Sequence, residues 1–306
     1  MLGGRSVLVI LPFFLWGTAM VVMKSILPAI APLFMAAVRL LPAGLLVLWA
    51  GKLQGRSHPN NGEAWFWILL FALVDGTFFQ GLLAEGLQRI DAGLGSLLID
   101  SQPLAVALLA TWLFGERLTL WGIGGLAIGL VGITLIGLPA DWLEQLRAGT
   151  LTGFSLGEWL MLGSALSMAV GTILIRPVTR YADPVMATGW HMVLGSLPLI
   201  VLSWRTESID WQGFTLITWL GLVYMSVMGS AIAYGLFFYF ASTGNLTTLS
   251  ALTFSTPVFA ILFGRIFLGE QLTSVQWLGV TLTLCSIYLV NTRGLSAQMS
   301  MASPKE

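Results

Sequence analysis

Pro103-Leu-Ala-Val-Ala-Leu-Leu-Ala-Thr-Trp-Leu-Phe-Gly115-Glu116-Arg117-Leu118-Thr119 is followed later in the chain by Pro257-Val-Phe-Ala-Ile-Leu-Phe-Gly-Arg-Ile-Phe-Leu-Gly269-Glu270-Gln271-Leu272-Thr273. The proline, the Gly-Glu pair, the leucine and the threonine recur at one offset of 154 positions. Ser96 and Ser250 keep that offset, as do Gly125 and Gly279. Apolar residues can coincide by composition; a Pro followed by Gly-Glu-x-Leu-Thr at fixed spacing is much harder to match by chance. The chain therefore reads as a duplicated half, an arrangement common in membrane transporters.

Composition places both halves in lipid. Of 306 residues, 57% are apolar and 9% charged, and the mean hydropathy is +0.87. Soluble domains carry roughly 25% charged residues. The net charge is zero, which gives no nucleic-acid signature. Cys285 is the single cysteine, so an internal disulfide and a cysteine-based metal cluster are excluded. No metal and no cofactor are expected. The apolar run from Val7 to Met23 is longer than a signal-peptide core and ends in Met23-Lys24, so it reads as a retained first span.

A span needs about 20 mostly apolar residues. That ruler gives ten, near 6–23, 32–51, 64–85, 93–114, 119–138, 157–176, 184–204, 213–240, 246–268 and 273–292. The expected fold is an all-α polytopic membrane protein, ten transmembrane helices as two inverted five-helix repeats. Residues 1–138 form the first repeat, 139–156 a linker, 157–292 the second repeat and 293–306 a disordered cytoplasmic tail. Within the linker, Asp141 to Gly149 resembles a short capped helix lying on the interface. Five is odd, so the second half enters the membrane from the opposite face, and a pseudo-two-fold axis lies in the membrane plane. The earlier helices align after a two-residue shift: Lys24 with Arg176, Pro32 with Pro184, Arg39 with His191. Lys and Arg are modestly biased to the side that holds both termini, which places the termini in the cytoplasm.

Trp16-Gly-Thr-Ala-Met20, Phe79-Gln-Gly81, Glu85-Gly-Leu-Gln-Arg89, Asp100-Ser-Gln-Pro103, Asp183-Pro-Val-Met-Ala-Thr-Gly-Trp-His-Met192 and the repeated Gly-Glu-x-Leu motif resemble the EamA family of the drug/metabolite transporter superfamily, in a cyanobacterial and plastid-type branch. The likeness runs from Trp16 to about Asn291. It implies two inverted repeats, each closing with a Pro-initiated helix, and transport of amino acids, other small metabolites or amphipathic organics. Thr18 stands where many relatives carry Asn. The absence of an Arg- and Ser-rich leader points to a plasma (inner) membrane.

Ionisable groups inside hydrocarbon are costly, and each needs a partner or a wet cavity. Counting from the helix ends, Arg39 and Asp100 lie at matching depth and are expected to pair. That pair either staples helices or forms an outer gate or substrate contact. Asp75 lies mid-membrane without a cation of evident matching depth, beside Phe78 and Phe79. It is either a satisfied structural acid or a substrate and proton site, and its counterpart in the other repeat is Gly229. His191 is a packing residue, or an inner-gate or proton-sensitive group. Gln80 with Tyr234, and Gln102 with Thr256, are counterparts that can line a polar cavity. Trp16, Trp190 and Tyr224 add aromatic walls or packing, and Arg265 is expected to snorkel to the headgroups. Pro103 and Pro257 are paired bending points or static kinks. The glycines of the fifth helix, Gly125-x-x-x-Gly129 among them, suit close packing between halves or between two copies, so a monomer and a homodimer both stay open.

The expected function is a secondary transporter of small organic metabolites, an exporter or facilitator. No phosphate-binding loop is present to run on ATP, so the drive is the solute gradient or protons, with Asp75 the best proton candidate. A channel and a membrane-embedded enzyme are the rival classes. The enzyme would need a nucleophile with a base or a metal set, and the two histidines, His58 and His191, form no such motif.

Overall fold

The computed structural model describes residues 2–89, 98–116, 119–137, 155–268 and 273–302, and every regular element among them is helical. Helices α1 (Leu2–Ile26) and α2 (Pro32–Leu53) are followed by α3 (Gly62–Leu87), α4 (Gln102–Phe114) and α5 (Leu120–Gly137). The second set is α6 (Leu156–Val178), α7 (Pro184–Thr206), α8 (Leu216–Thr243), α9 and α10 (Ser274–Ala302). Helix α9 comprises Leu246–Ala251, a 3₁₀ turn Leu252–Phe254 and Ser255–Leu268. Five of these helices, α2, α3, α6, α7 and α8, are long and apolar enough to cross a bilayer on their own, and shorter apolar helices complete the ten. The expected interfacial helix at 141–149 lies outside the described residues. Helix α10 continues to Ala302, into the stretch expected to be disordered; no proline interrupts Ser274–Ala302.

The repeat reaches into details that composition cannot dictate. Asn61 and Thr215, 154 positions apart, are both helix N-caps, accepting from Ala64 N and Thr218 N. Helices α3 and α8 both widen into π-helical segments, Ala72–Phe79 and Val227–Ile232, at equivalent places. Such segments cost regular hydrogen bonding and cluster at functional sites. The repeated prolines also agree: Pro103 falls in the first turn of α4, just after the turn at Asp100 and Ser101, and Pro257 follows the 3₁₀ turn of α9. A first-turn proline loses no intrahelical bond, so the break in each helix precedes the proline.

Helices that pack against their own counterparts flank the pseudo-axis. Along α5, Gly125 faces Val290 of α10, Gly129 faces Ser286, and Gly132 faces Thr283 and the Gly279 carbonyl. The glycine face is thus spent on contact between the halves. Helix α2 meets α7 in the same manner, with Gly44 against Gly189 and Val193, and Gly51 against Met186.

The α2–α7 pair also satisfies its own ends. The N-cap of α2, Ala31, has no side chain able to accept, yet Leu33 N and Phe34 N donate to Glu207 at the end of α7, at 2.8 and 2.9 Å. At the opposite end, Asp183 caps α7 and pairs with Arg56 beyond α2 at 2.8 Å. Two donors at a helix start and a favourable dipole are at stake at Glu207. Glu207→Ala is expected to cost about 0.5–2 kcal/mol on the scale of lost caps. Thermal unfolding in detergent checks this: Glu207→Gln, which keeps an acceptor, should fall between the wild type and Glu207→Ala.

Candidate functional site

Each crossing alternates direction, so the ends of α2, α4, α6 and α8 share one end of the bundle. That end carries Glu116, Arg176 and Asp183. The opposite end carries Glu207, the end of α1 and the end of α3.

Between the halves lies a cavity of about 90 Å³. Its polar lining is Arg39, Asp100, Gln102, Tyr234, Thr253 and Thr256, and its apolar lining includes Trp16, Met20, Met23, Phe79, Leu87, Met161 and Met168. Both repeats contribute. Met23, Leu87 and Met161 sit near helix termini at the Glu207 end, so the cavity extends toward that end.

Gln80 Nε2 donates to Tyr234 Oη at 2.9 Å. These two residues are repeat counterparts, and a residue that touches its own counterpart marks the pseudo-axis. The direction of this bond follows from a third group. Arg39 can only donate, and its Nη2 bonds Gln80 Oε1. The Gln80 amide is thereby oriented with its NH₂ toward Tyr234, which leaves the Tyr234 hydroxyl proton available. Arg39 Nε is also buried and unpartnered. Arg39 and Asp100, expected to pair, both line the cavity, and Arg39 bonds Gln80 one helix away.

Gln102 is oriented in the same way. Thr172 Oγ1 donates to Met168 O, so its oxygen accepts from Gln102 Nε2 at 3.4 Å. Gln102 Oε1 is left buried without a partner, and so is Thr256 Oγ1. The cavity therefore has a donor pole, Arg39 Nε–H with Tyr234 O–H, and an acceptor pole, Gln102 Oε1. Buried polar atoms without partners are rare in folded proteins, and three of those found here, Arg39 Nε, Gln102 Oε1 and Thr256 Oγ1, belong to residues that line this one space.

Aromatic packing fixes the walls. Trp16 stacks at a tilt on Tyr234 with centroids 5.0 Å apart and donates through Nε1 to Gly229 O at 3.1 Å. Thr18 and Tyr224 share a hydrogen bond of 2.7 Å between α1 and α8, so the threonine keeps a polar contact at this position. Trp190 is placed elsewhere, packed on Trp65 and His58. The side chain of Arg265 lies outside the described residues.

Asp75 has a partner that depth counting missed. His191 Nε2 lies 3.2 Å from Asp75 Oδ2, and both side chains are 1% exposed. Asp75 sits on the π segment of α3 and His191 on α7, with Phe71 stacked on His191 at a centroid distance of 4.0 Å.

The Glu116 end is tied together by a cluster of polar contacts. Gly115 takes φ +66° and ends α4, a conformation glycine adopts without strain. Glu116 then accepts from Leu246 N, Thr247 N and Thr247 Oγ1 at the start of α9, and pairs with Arg176 of α6 at 2.9 Å. Arg176 also donates to Gly244 O at 2.8 Å and lies over the Phe114 ring. The Gly-Glu motif read as a tight turn is thus also an anchor that ties α4 to α6 and α9. Its copy at Gly269-Glu270 lies outside the described residues.

The comparisons with known proteins agree with this architecture. One solved crystal structure, 17% identical, superposes with a TM-score of 0.81 over 95% of this chain and 98% of that one, which supports the fold alone. The chain is 57% identical to an uncharacterized transporter of Synechocystis sp., covering 93% of this chain and 88% of that protein. It is 50% identical to a chloroplastic WAT1-related protein of Arabidopsis thaliana, over 92% of this chain and 67% of that one. Protein PecM of Dickeya dadantii is 30% identical over 95% and 93%. The model of the EamA-like transporter family matches residues 6–138 and again residues 155–292, one match for each set of five helices. The chain belongs to the EamA-like transporter family, a multi-pass membrane protein of the drug/metabolite transporter type.

Proposed function

We propose that this family member is a secondary transporter of small organic metabolites, amino acids foremost, exposing one cavity alternately to the two membrane faces as an exporter or facilitator. The observation that carries the reading is the two-pole cavity on the pseudo-axis. Two donors, one of them cationic, suit a carboxylate; an amide oxygen suits an ammonium; methionines and aromatics suit a variable apolar side chain. A latch at the Glu116 end, and cavity-lining residues that reach toward the Glu207 end, suit a protein caught with one gate shut. Pro103 and Pro257, placed just after breaks in α4 and α9, are the proposed bending points. The setting is a plasma membrane with both termini in the cytoplasm, supported by the Lys and Arg bias.

The test begins with metabolite export by cells with and without the protein, followed by uptake of the leading solutes into liposomes holding purified protein. Arg39→Gln removes the charge of the donor pole. It is expected to lower amino-acid uptake roughly 10- to 100-fold, from about 1.5–3 kcal/mol for hydrogen bonds to charged groups. Undiminished uptake by Arg39→Gln would remove the assignment of the donor pole.

A further inference from the structure

The duplication predicts two symmetry-related contacts between α3 and α7 and between α8 and α2, and this chain fills them differently. In one, Asp75 of the first repeat meets His191 of the second. In the other, the counterparts are Gly229 and Arg39. Gly229 offers no acid, and Arg39 reaches Gln80 and the cavity instead. The acid–base pair is therefore not a scaffold element that the fold needs twice.

The pair is not part of the solute cavity, whose lining includes neither residue. It lies on the same helix, one turn before Phe79, which does line the cavity. The groups that face it are few. Helix α7 supplies His191, and α8 supplies Tyr234, stacked on the Phe238 ring that packs against His191. Arg39 of α2 connects through Gln80. Helix α6 presents Gly171, where any side chain would strike Asp75 Oδ1, and α8 adds the Phe238 ring against His191. Asp75 Oδ1 and His191 Nδ1 are both buried without partners.

Resting on the transporter reading above, we infer that Asp75 and His191 form the site of a coupling proton. A metal or sodium ion is a poor fit, since it would want several oxygens, and the described residues hold no cluster of metal-ligating side chains there. A proton needs only the 3.2 Å gap between Oδ2 and Nε2. With the proton aboard, the pair is net neutral, as carboxylate with imidazolium or as carboxylic acid with imidazole. When the proton leaves, a single negative charge remains between Phe71 and Phe238. That charge is tolerable only when water reaches it, because an uncompensated buried charge is expensive. The sealed form seen here thus requires the proton, and opening of the Glu116 end releases it to that side. The proton enters with the pair open to one face and leaves with it open to the other, so its movement is tied to that of the cavity.

Two measurements on purified full-length protein in liposomes decide the matter. The first uses no solute: infrared difference spectra across a pH titration. A protonated-carboxyl band that titrates, is absent in Asp75→Asn and moves in midpoint in His191→Gln is expected; no Asp75-dependent titration between about pH 4 and 10 overturns the site. The second uses an equimolar mixture of the twenty protein amino acids. In the wild type, a one-unit pH difference should sustain about a tenfold solute gradient at one proton per solute. Asp75→Asn should lose that gradient while still exchanging labelled for unlabelled amino acids, which a merely structural defect would not allow. Wild-type exchange that ignores the pH difference overturns proton coupling and leaves the transporter reading intact. Absence of any exchange overturns the amino-acid reading, and the infrared titration still decides the proton site.

Discussion

Replacing Glu116 with Ala should spring the closed end of the bundle. The carboxylate holds the first two amides of α9, the Thr247 hydroxyl and the Arg176 guanidinium, so one residue ties α4, α6 and α9 together. Its side chain is only 9% exposed, which limits the screening that makes surface ion pairs weak. Losing this set is expected to cost the closed form about 3 kcal/mol, roughly a 150-fold shift toward the open form. Spin labels at Leu113 of α4 and Thr243 of α8, in a Cys285→Ser background, report the change as a longer and broader distance distribution. Glu116→Gln keeps an acceptor for the α9 amides and loses only the ion pair, so it should lie between. Unchanged distances in Glu116→Ala would mean that the latch bears no load.

Gly195→Val should leave little folded protein. A Cβ at Gly195 would stand 2.5 Å from Gly76 Cα and 2.8 Å from Ala72 O. Both neighbours are backbone, so no side chain can swing aside, and α3 would have to leave α7. The same contact carries the Thr77 bond to Gly195 O and sits one turn from His191. Overpacking of this kind costs about 3 kcal/mol or more. The measurement is the yield of monodisperse protein in size-exclusion chromatography. Gly124→Ala is the control: a methyl there meets nothing within 4 Å, and alanine gains about 1 kcal/mol of helix propensity. Wild-type yield from Gly195→Val would show that the close approach of α3 and α7 is dispensable.

The repeat made most of the fold readable. Pro103 and Pro257, the Gly-Glu pairs and the Gly125 and Gly279 positions gave the halves, and hydrophobic length gave the helices. The Gln80–Tyr234 equivalence was visible as well, although only the coordinates show the two touching across the axis. What stayed hidden depends on relations between helices. Counting depth along single helices at about 1.5 Å per residue singles out no partner for Asp75, because it says nothing of which helices lie side by side. No sequence period announces the π segment of α3 on which Asp75 sits. Arg39 and Asp100 share an expected depth, but depth alone does not choose among partners, and a long guanidinium reaches Gln80. Glu116 read as a turn residue because its ligands, Leu246 and Thr247, are distant in sequence and mostly backbone.

Placement of Asn60 and Gln212 relative to the bilayer tests the architecture most directly. Both are exposed polar residues just before α3 and α8, the counterpart helices. In a Cys285→Ser background, Asn60→Cys and Gln212→Cys are challenged with a membrane-impermeant maleimide on intact cells and on inverted vesicles. The inverted repeat predicts that one reacts only on cells and the other only on vesicles. Reaction of both from the same face would contradict it.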